Sequence, residues 1–421
     1  MTYNQGWAPL RTLIAAAVVL MAVSPAQAET PLSLSVSQSL RYDSNIMRDN
    51  NNKYRDGVSS TAVTVGLDKQ YGRQSYKASL TGNVNKYKNT KELDHNGYNI
   101  ELGFTSTLAS NWNFMLDHYN TKQMQSFEQQ SRERYAESII SRVTQGVLQY
   151  GLYGRWSSSL TLGQSQANYA TKDVYDKSSK YVRMGLRHSP TDLLYFDFGV
   201  RGTKGDSPNY PLLDGSVLGD PFRRMDYELI SQWVVTGYSR LNTRVGWTQE
   251  RHSRDSRRDY NGLTGNVRWS YSPTGKTTYS VAIDRDTNNA GGSSLESYIT
   301  DRATGLPVVF QGLYTSQNRL TTGLVLGVNH SATAKISLNV GFTYRRYEEE
   351  IRQLQDGLLG SSSGSTSRNG DYRSFSLGAN YQIHRAVNMG CTVEKYGRTA
   401  SLFSREYDGE QVICNASVKF D

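Results

Sequence analysis

Residues 335–346, KISLNVGFTYRR, carry Ile336, Leu338, Val340, Phe342 and Tyr344 at every second position, with Ser337, Asn339, Gly341, Thr343 and Arg345 between them. Successive side chains of a strand point to opposite faces, so the segment has one apolar and one polar face. The same alternation recurs at 63–71, 98–108, 194–202, 225–235, 241–247, 263–271, 279–283, 320–328 and 375–383. It is also traceable near 32–42, 76–84, 112–119, 156–168, 181–188, 387–393 and 412–420. Over 135–150 both parities carry apolar residues and the pattern blurs. No long window shows a helical period.

The chain has 421 residues, a net charge of +9, 29 Tyr against 11 Phe, and only 2 Cys. Its mean hydropathy is −0.60. A soluble chain of this length would divide into domains and contain helices. A β-solenoid or propeller would show a fixed repeat, and none is visible. The N-terminus supplies the compartment. Arg11, the apolar run LIAAAVVLMAV and the small-residue tail ending Ala26-Gln27-Ala28 form a secretory signal, so residues 1–28 are expected to be removed and 29–421 to form one body. That run is shorter than the roughly twenty residues of a spanning helix.

Connections between the alternating segments differ strictly in character. YGRQ, LASN, LYGR, SPTD, TGYS, SPTG, NHSAT and HRAV are tight turns, whereas the intervening links are long and polar, as in 43–57, 206–224, 284–312 and 348–371. Short turns alternating with long loops mark an all-β, transmembrane antiparallel outer-membrane β-barrel, here of about 18 strands (about 16 as the alternative) with short periplasmic turns and long extracellular loops. Closure leaves no unpaired edge in lipid. The apolar face of 336–344 then meets lipid and the opposite face a watery lumen. A periplasmic β-sandwich is the competing fold. It would need shorter loops on one side and a thicker core.

With that parity the inward face carries Arg183, Arg187, Arg201, Arg240, Arg244, Arg268 and Arg345, the acids Asp197, Glu228 and Asp284, and the hydroxyls of Tyr119, Tyr181, Tyr195, Tyr260 and Tyr372. An arginine surplus between low-dielectric walls favours anions, and Tyr beside Arg offers stacking faces and donors to sugar rings and carboxylates. The bland alternative is that each arginine braces the wall by pairing with an inward acid. Two loops, NYPLLDGSVLGDPF and TGLPVVFQGLY, are apolar enough to fold into the lumen or to pack on one another outside. EEEIRQLQDGLL carries a weak helical signal.

An enzyme is the minority reading, and the chain is taken as a non-enzyme. His95, His118, His188, His252, His330 and His384 are scattered over separate hairpins without a local nucleophile motif, although triads assemble in space. No Cys/His metal spacing, phosphate loop or dinucleotide fingerprint appears, so no cofactor is expected, and no nucleic acid is expected as a partner.

The mature start, LSLSVSQSLRYDSNIMRDNN (32–51), resembles the opening of EpsL-type exopolysaccharide-export outer-membrane barrels and the related β-barrel porins of Gram-negative polysaccharide loci. The likeness rests on an alternating strand running into RYDSNI (41–46) and on the tail with Cys391 and Cys414. It implies a passive conduit in the outer membrane for an anionic extracellular polysaccharide, serving biofilm matrix and working with a periplasmic polysaccharide-export protein. A general or solute-specific diffusion porin is the first alternative, and an outer-membrane hydrolase or lyase the second. Asp43 and Asn45 need be no more than turn formers. The chain ends Phe420-Asp421 rather than on the aromatic usual for such barrels. If the last hairpin is symmetric about its loop, Cys391 and Cys414 face each other on the lipid side, close enough for a disulfide in the oxidising periplasm.

Overall fold

The computed structural model describes residues 31–109, 111–125, 127, 136–151, 154–209, 219–254, 258–287, 295–300, 307–312, 319–357, 360–400 and 405–420, with backbone alone for 295–300, 307–312, 349–357 and 360–368. The expected signal segment therefore lies outside the described residues, as do most of NYPLLDGSVLGDPF and the ends of TGLPVVFQGLY.

Twenty strands follow in chain order. The first half comprises β1 (Leu32–Asp43), β2 (Asp56–Tyr71), β3 (Gln74–Tyr87), β4 (His95–Ala109), β5 (Trp112–Met124), β6 (Ser138–Tyr150), β7 (Trp156–Tyr169), β8 (Lys177–Thr191), β9 (Leu194–Asp206) and β10 (Phe222–Thr236). The second half comprises β11 (Ser239–His252), β12 (Tyr260–Thr274), β13 (Thr277–Thr287), β14 (Leu295–Thr300), β15 (Pro307–Gly312), β16 (Arg319–Ser331), β17 (Ile336–Gly357), β18 (Gly360–His384), β19 (Val387–Arg398) and β20 (Tyr407–Phe420). Two 3-10 turns, Lys91–Leu93 and Asp173–Tyr175, are the helical elements among the described residues. Strands β14 and β15 form a separate hairpin between β13 and β16. The other strands make one 18-stranded sheet in which each is antiparallel to its chain neighbour. β1 pairs with β20 from Leu34↔Phe420 to Asp43↔Gln411, so the sheet closes. The segment EEEIRQLQDG does not become a helix. It continues β17, paired from Glu348↔Asn369 to Gly357↔Gly360, and ladder bonds outweigh its weak helical signal.

The outward parity is apolar. Leu162, Met184, Phe198, Leu263, Leu338 and Leu377 are exposed, as lipid contact requires. Near the short turns the outward side chains become aromatic. Trp112 packs on Tyr150 at 4.8 Å, Trp156 on His188 at 4.3 Å, and Trp269 stacks on Tyr271 at 5.7 Å. This is the interfacial girdle of a spanning barrel.

The closing strands β19, β20 and β1 are held together at three levels. At the extracellular end Tyr396 donates to Asp43 at 2.5 Å, Asn45 Nδ2 donates to the Asp408 carbonyl at 2.9 Å, and Ser44 and Glu410 exchange hydrogen bonds. Arg48 sits at φ 53° over the Tyr396 ring and forms an ion pair with buried Asp43 at 2.9 Å. Burial opposes its charge, but Asp43, Tyr396 and Tyr407 raise its pKa. Below, the Cys391–Cys414 disulfide joins directly opposed residues of β19 and β20, with Cα atoms 4.1 Å apart, on the lipid side with Met389 and Val393. The ten-pair ladder of β1 with β20 supplies the third level. "DSN" is thus more than a turn former.

A repeat is present after all, in the loops. Asp56, Glu137 and Asp220, four strands apart each time, each accept a backbone N–H from the residue 34 positions on: Thr90 at 2.8 Å, Thr171 at 3.0 Å and Arg254 at 3.2 Å. Asp94, Asp176 and Asp259 each accept the N–H of the residue seven earlier, Tyr87, Tyr169 and His252, at 2.7, 2.8 and 2.7 Å. Thr90 and Thr171 also donate their hydroxyls to the same carboxylates, whereas the third copy, Arg254, makes the backbone bond.

Candidate functional site

The candidate site is the lumen, and strand parity decides what faces it. On β10, Arg224, Asp226 and Glu228 are buried while Arg223, Met225 and Tyr227 are exposed. The period-two run R224-x-D226-x-E228 thus points all its charge inward. Parity puts every expected inward arginine and tyrosine on this face.

Most of the arginines have partners. Arg183 bridges Asp197 at 2.5 Å and Glu228 at 3.0 Å. Arg244 bridges Glu228 at 3.4 Å and Asp286 at 3.0 Å. Arg187 stands 3.6 Å from Asp197, beyond hydrogen-bond geometry, with its guanidinium over Tyr195 at 4.2 Å. Arg201 lies over Tyr181 at 3.9 Å, and the Tyr181 hydroxyl donates to Gln145 at 3.0 Å. Two tyrosine faces expected to stack on sugar rings are therefore covered by guanidinium groups. Tyr260, at the top of β12, donates to the Leu263 carbonyl at 2.8 Å. Arg268 is opposite Asn242, and Arg240 is opposite Ser270 one level nearer the periplasm. Arg345 is opposite Tyr372, and Tyr119 lies between Glu101 and Val143. Inward Asp284 fills the space beside Gly323. The arginines form a braced wall, not an uncompensated ladder.

The densest charge lies higher and escaped the sequence reading. Arg224 reaches Asp226 at 2.8 Å, Asp286 at 3.2 Å and Glu250 at 3.5 Å, with Thr287 and Thr248 as neutral acceptors at 2.9 and 3.3 Å. His252 lies between Asp220 at 2.7 Å and Glu250 at 3.0 Å, and Arg258 reaches Asp220 at 2.8 Å. Burial works against ionisation of Asp220, but His252, Arg258 and the Arg254 N–H hold its carboxyl below the ordinary range. The period-two spacing of Arg224, Asp226 and Glu228 is the signal that could have found this cluster.

Elsewhere around the mouth apolar side chains share the rim with buried polar ones such as Asp43, Asp56 and Glu137. Ile46, Val58, Tyr87, Leu93 and Phe127 make one buried cluster from the loops after β1, β3 and β5, and Ile139, Ala167 and Tyr169 make another. Over the third sector Tyr347, Tyr396, Arg398 and Tyr407 are buried. Lower down, Thr161, Arg201, Arg244, Arg268 and Asn339 are only half-buried. The lumen is packed round its extracellular rim and looser below. In the lower wall a cavity of about 190 Å³ is lined by Met115, Val147, Ser159, Thr161, Arg187 and Ile230 among others. Among the described residues no group of three or more His, Cys, Asp or Glu side chains is placed to hold a metal ion.

A closed eighteen-stranded sheet with an apolar, aromatic-girdled exterior and a polar, charged interior is an outer-membrane β-barrel. Its place is the outer membrane of a Gram-negative bacterium. Neither a protein-family model nor a curated protein sequence matches the chain. Solved structures similar to it include OpdQ of Pseudomonas aeruginosa (11% identity, 93% of this chain and 100% of that one, TM-score 0.48). OccK1 (OpdK) of the same organism is similar at 9% identity, 92% and 99% coverage and TM-score 0.48. The siderophore receptor PiuA of Acinetobacter baumannii is similar at 11% identity, 94% and 82% coverage and TM-score 0.46. These are likenesses of barrel architecture, and the fold rests on the strand registers above. The EpsL-type resemblance gains no matching family model.

Proposed function

We propose that the protein is a passive diffusion channel for small solutes, in preference to a conduit for a polysaccharide chain. The burial of inward side chains all round the extracellular rim carries this reading. On β2 the inward face passes from half-buried Gly66 and Thr64 to Val58 at 5% and Asp56 at 1% exposure. On β7 it passes from half-buried Thr161 to Ala167 at 0%. A polymer would need a continuous wide bore and stacking platforms, yet the Tyr181 and Tyr195 faces are occupied. A small hydrophilic solute needs only gaps between braced charges, and the paired arginines give such gaps mixed sign. No step of chemistry is required of the chain.

The test is diffusion. Purified protein in liposomes should let in sugars and organic acids of a few hundred daltons and exclude oligosaccharides, as read by swelling rates. If liposomes stay impermeable to small solutes while a deletion strain loses extracellular polysaccharide, the polymer conduit replaces this reading.

A further inference from the structure

One feature of the outer surface is unexplained by a channel. Lys180 of β8, Lys204 of β9, Arg223 of β10 and Arg251 of β11 are exposed on the outward parity. The registers place them directly opposite one another: Lys180↔Lys204, Lys204↔Arg223 and Arg223↔Arg251. Four cations thus stand in one row across four adjoining strands, about 15 Å from end to end. Like charges directly opposite on a sheet destabilise it. None of the four makes a hydrogen bond or ion pair among the described residues. Three other outward cations on the upper halves of their strands do pair with acids: Lys86 with Asp94 at 3.0 Å, Lys395 with Glu410 at 3.6 Å and Arg285 with Glu348 at 3.7 Å.

The depth of the row names what it faces. Below it on the same parity, after Gly202 on β9 and Gln249 on β11, are Val182 and Met184, Phe198 and Val200, Met225 and Tyr227, and Val245 and Trp247, all exposed. The apolar band below ends at the periplasmic turns, and strands of about ten residues cross the hydrocarbon. The row therefore sits where the outer-leaflet headgroups begin. From this we infer that Lys180, Lys204, Arg223 and Arg251 form a docking site for the phosphate groups of a phosphorylated glycolipid of the outer leaflet. Guanidinium and ammonium groups suit phosphate oxygens, and the acyl chains would lie against the apolar ladder beneath. An acidic polymer or a free anion would satisfy the charges but not the ladder. The outward direction and the continuity of the two surfaces favour lipid.

The experiment measures binding of bisphosphorylated lipid A to the full-length protein in detergent, against the same lipid stripped of both phosphates and against inorganic phosphate as competitor. Wild type should prefer the phosphorylated lipid at least tenfold, with millimolar phosphate failing to displace it. The variant K204Q/R223Q/R251Q should bind it roughly 100-fold more weakly, while K86Q/K395Q, at compensated positions, should bind as wild type. Heat-modifiable migration on gels checks folding. Should the triple variant fail that check, R223Q alone should still weaken binding severalfold. Equal affinity for both lipids, displacement by inorganic phosphate, or unchanged binding by the folded variants would overturn the site.

Discussion

Replacing Arg224 by Met tests the braced wall most directly. The change keeps much of the side-chain volume and removes the charge. Arg224 is 3% exposed and holds three carboxylates within 3.5 Å, of which Asp226 and Glu250 are themselves 3% and 1% exposed. Removing one partner from a buried ion pair costs about 3–5 kcal/mol, because the remaining charge stays buried without compensation. Here three carboxylates lose a cation. Asp286 keeps Arg244, Glu250 keeps His252 and Asp226 keeps Thr248. A loss of about 4 kcal/mol is therefore expected, near a thousandfold in the folding equilibrium. The assay is urea unfolding of protein refolded into lipid vesicles, followed by gel shift and tryptophan fluorescence. Adding Asp226→Asn should recover part of the loss, since it removes one stranded charge, and the double-mutant cycle should show that coupling. A loss below about 1 kcal/mol, or strictly additive effects, would show that the cluster is hydrated and the rim open.

Three further outcomes follow from the same geometry. Thiol labelling of denatured, unreduced protein should find no free thiol, because Cys391 and Cys414 are bonded, and two labelled thiols would contradict that link between β19 and β20. Replacing Arg240, Arg244 and Arg268 together by Gln should shift reversal potentials in planar bilayers toward cations, more strongly at low salt. An unchanged potential would place the solute path elsewhere. Asp220 has a folded pKa held low, so its contribution is complete above the unfolded carboxylate value and is lost as pH falls through the folded one. Protease cleavage of the loops after β9 and β11 should therefore rise only below about pH 4, and Asp220→Asn should make it rise at neutral pH.

Alternation located every strand of the barrel except β6, where the pattern blurs, because a lipid-facing parity must stay apolar across the bilayer. It placed the extracellular ends too low, with β2 expected from 63 and observed from Asp56. There Val58 turns inward into a loop-borne cluster, so both parities become mixed and the pattern fades. Ile139 blurs β6 for the same reason. The inward arginines were legible from parity alone, but their partners were not. Arg183 meets Glu228 from 45 residues away and Arg244 meets Asp286 from 42, across strands whose register no local pattern specifies. Arg224 was missed because it fell just outside the expected strand.

The seam at β1 and β20 also bears on how the chain is made. Asn45 and Asp408 are 363 positions apart, and Asp43 depends on Tyr396 and Arg48 for its burial. The Arg48–Asp43 pair is local, but the bonds to Tyr396 and Asp408 cannot form until the last two strands have been delivered. A polypeptide that stops early keeps two raw sheet edges, which lipid rejects. The latch therefore works as a proof of completeness: only a chain translated and exported to its end can be sealed into the bilayer.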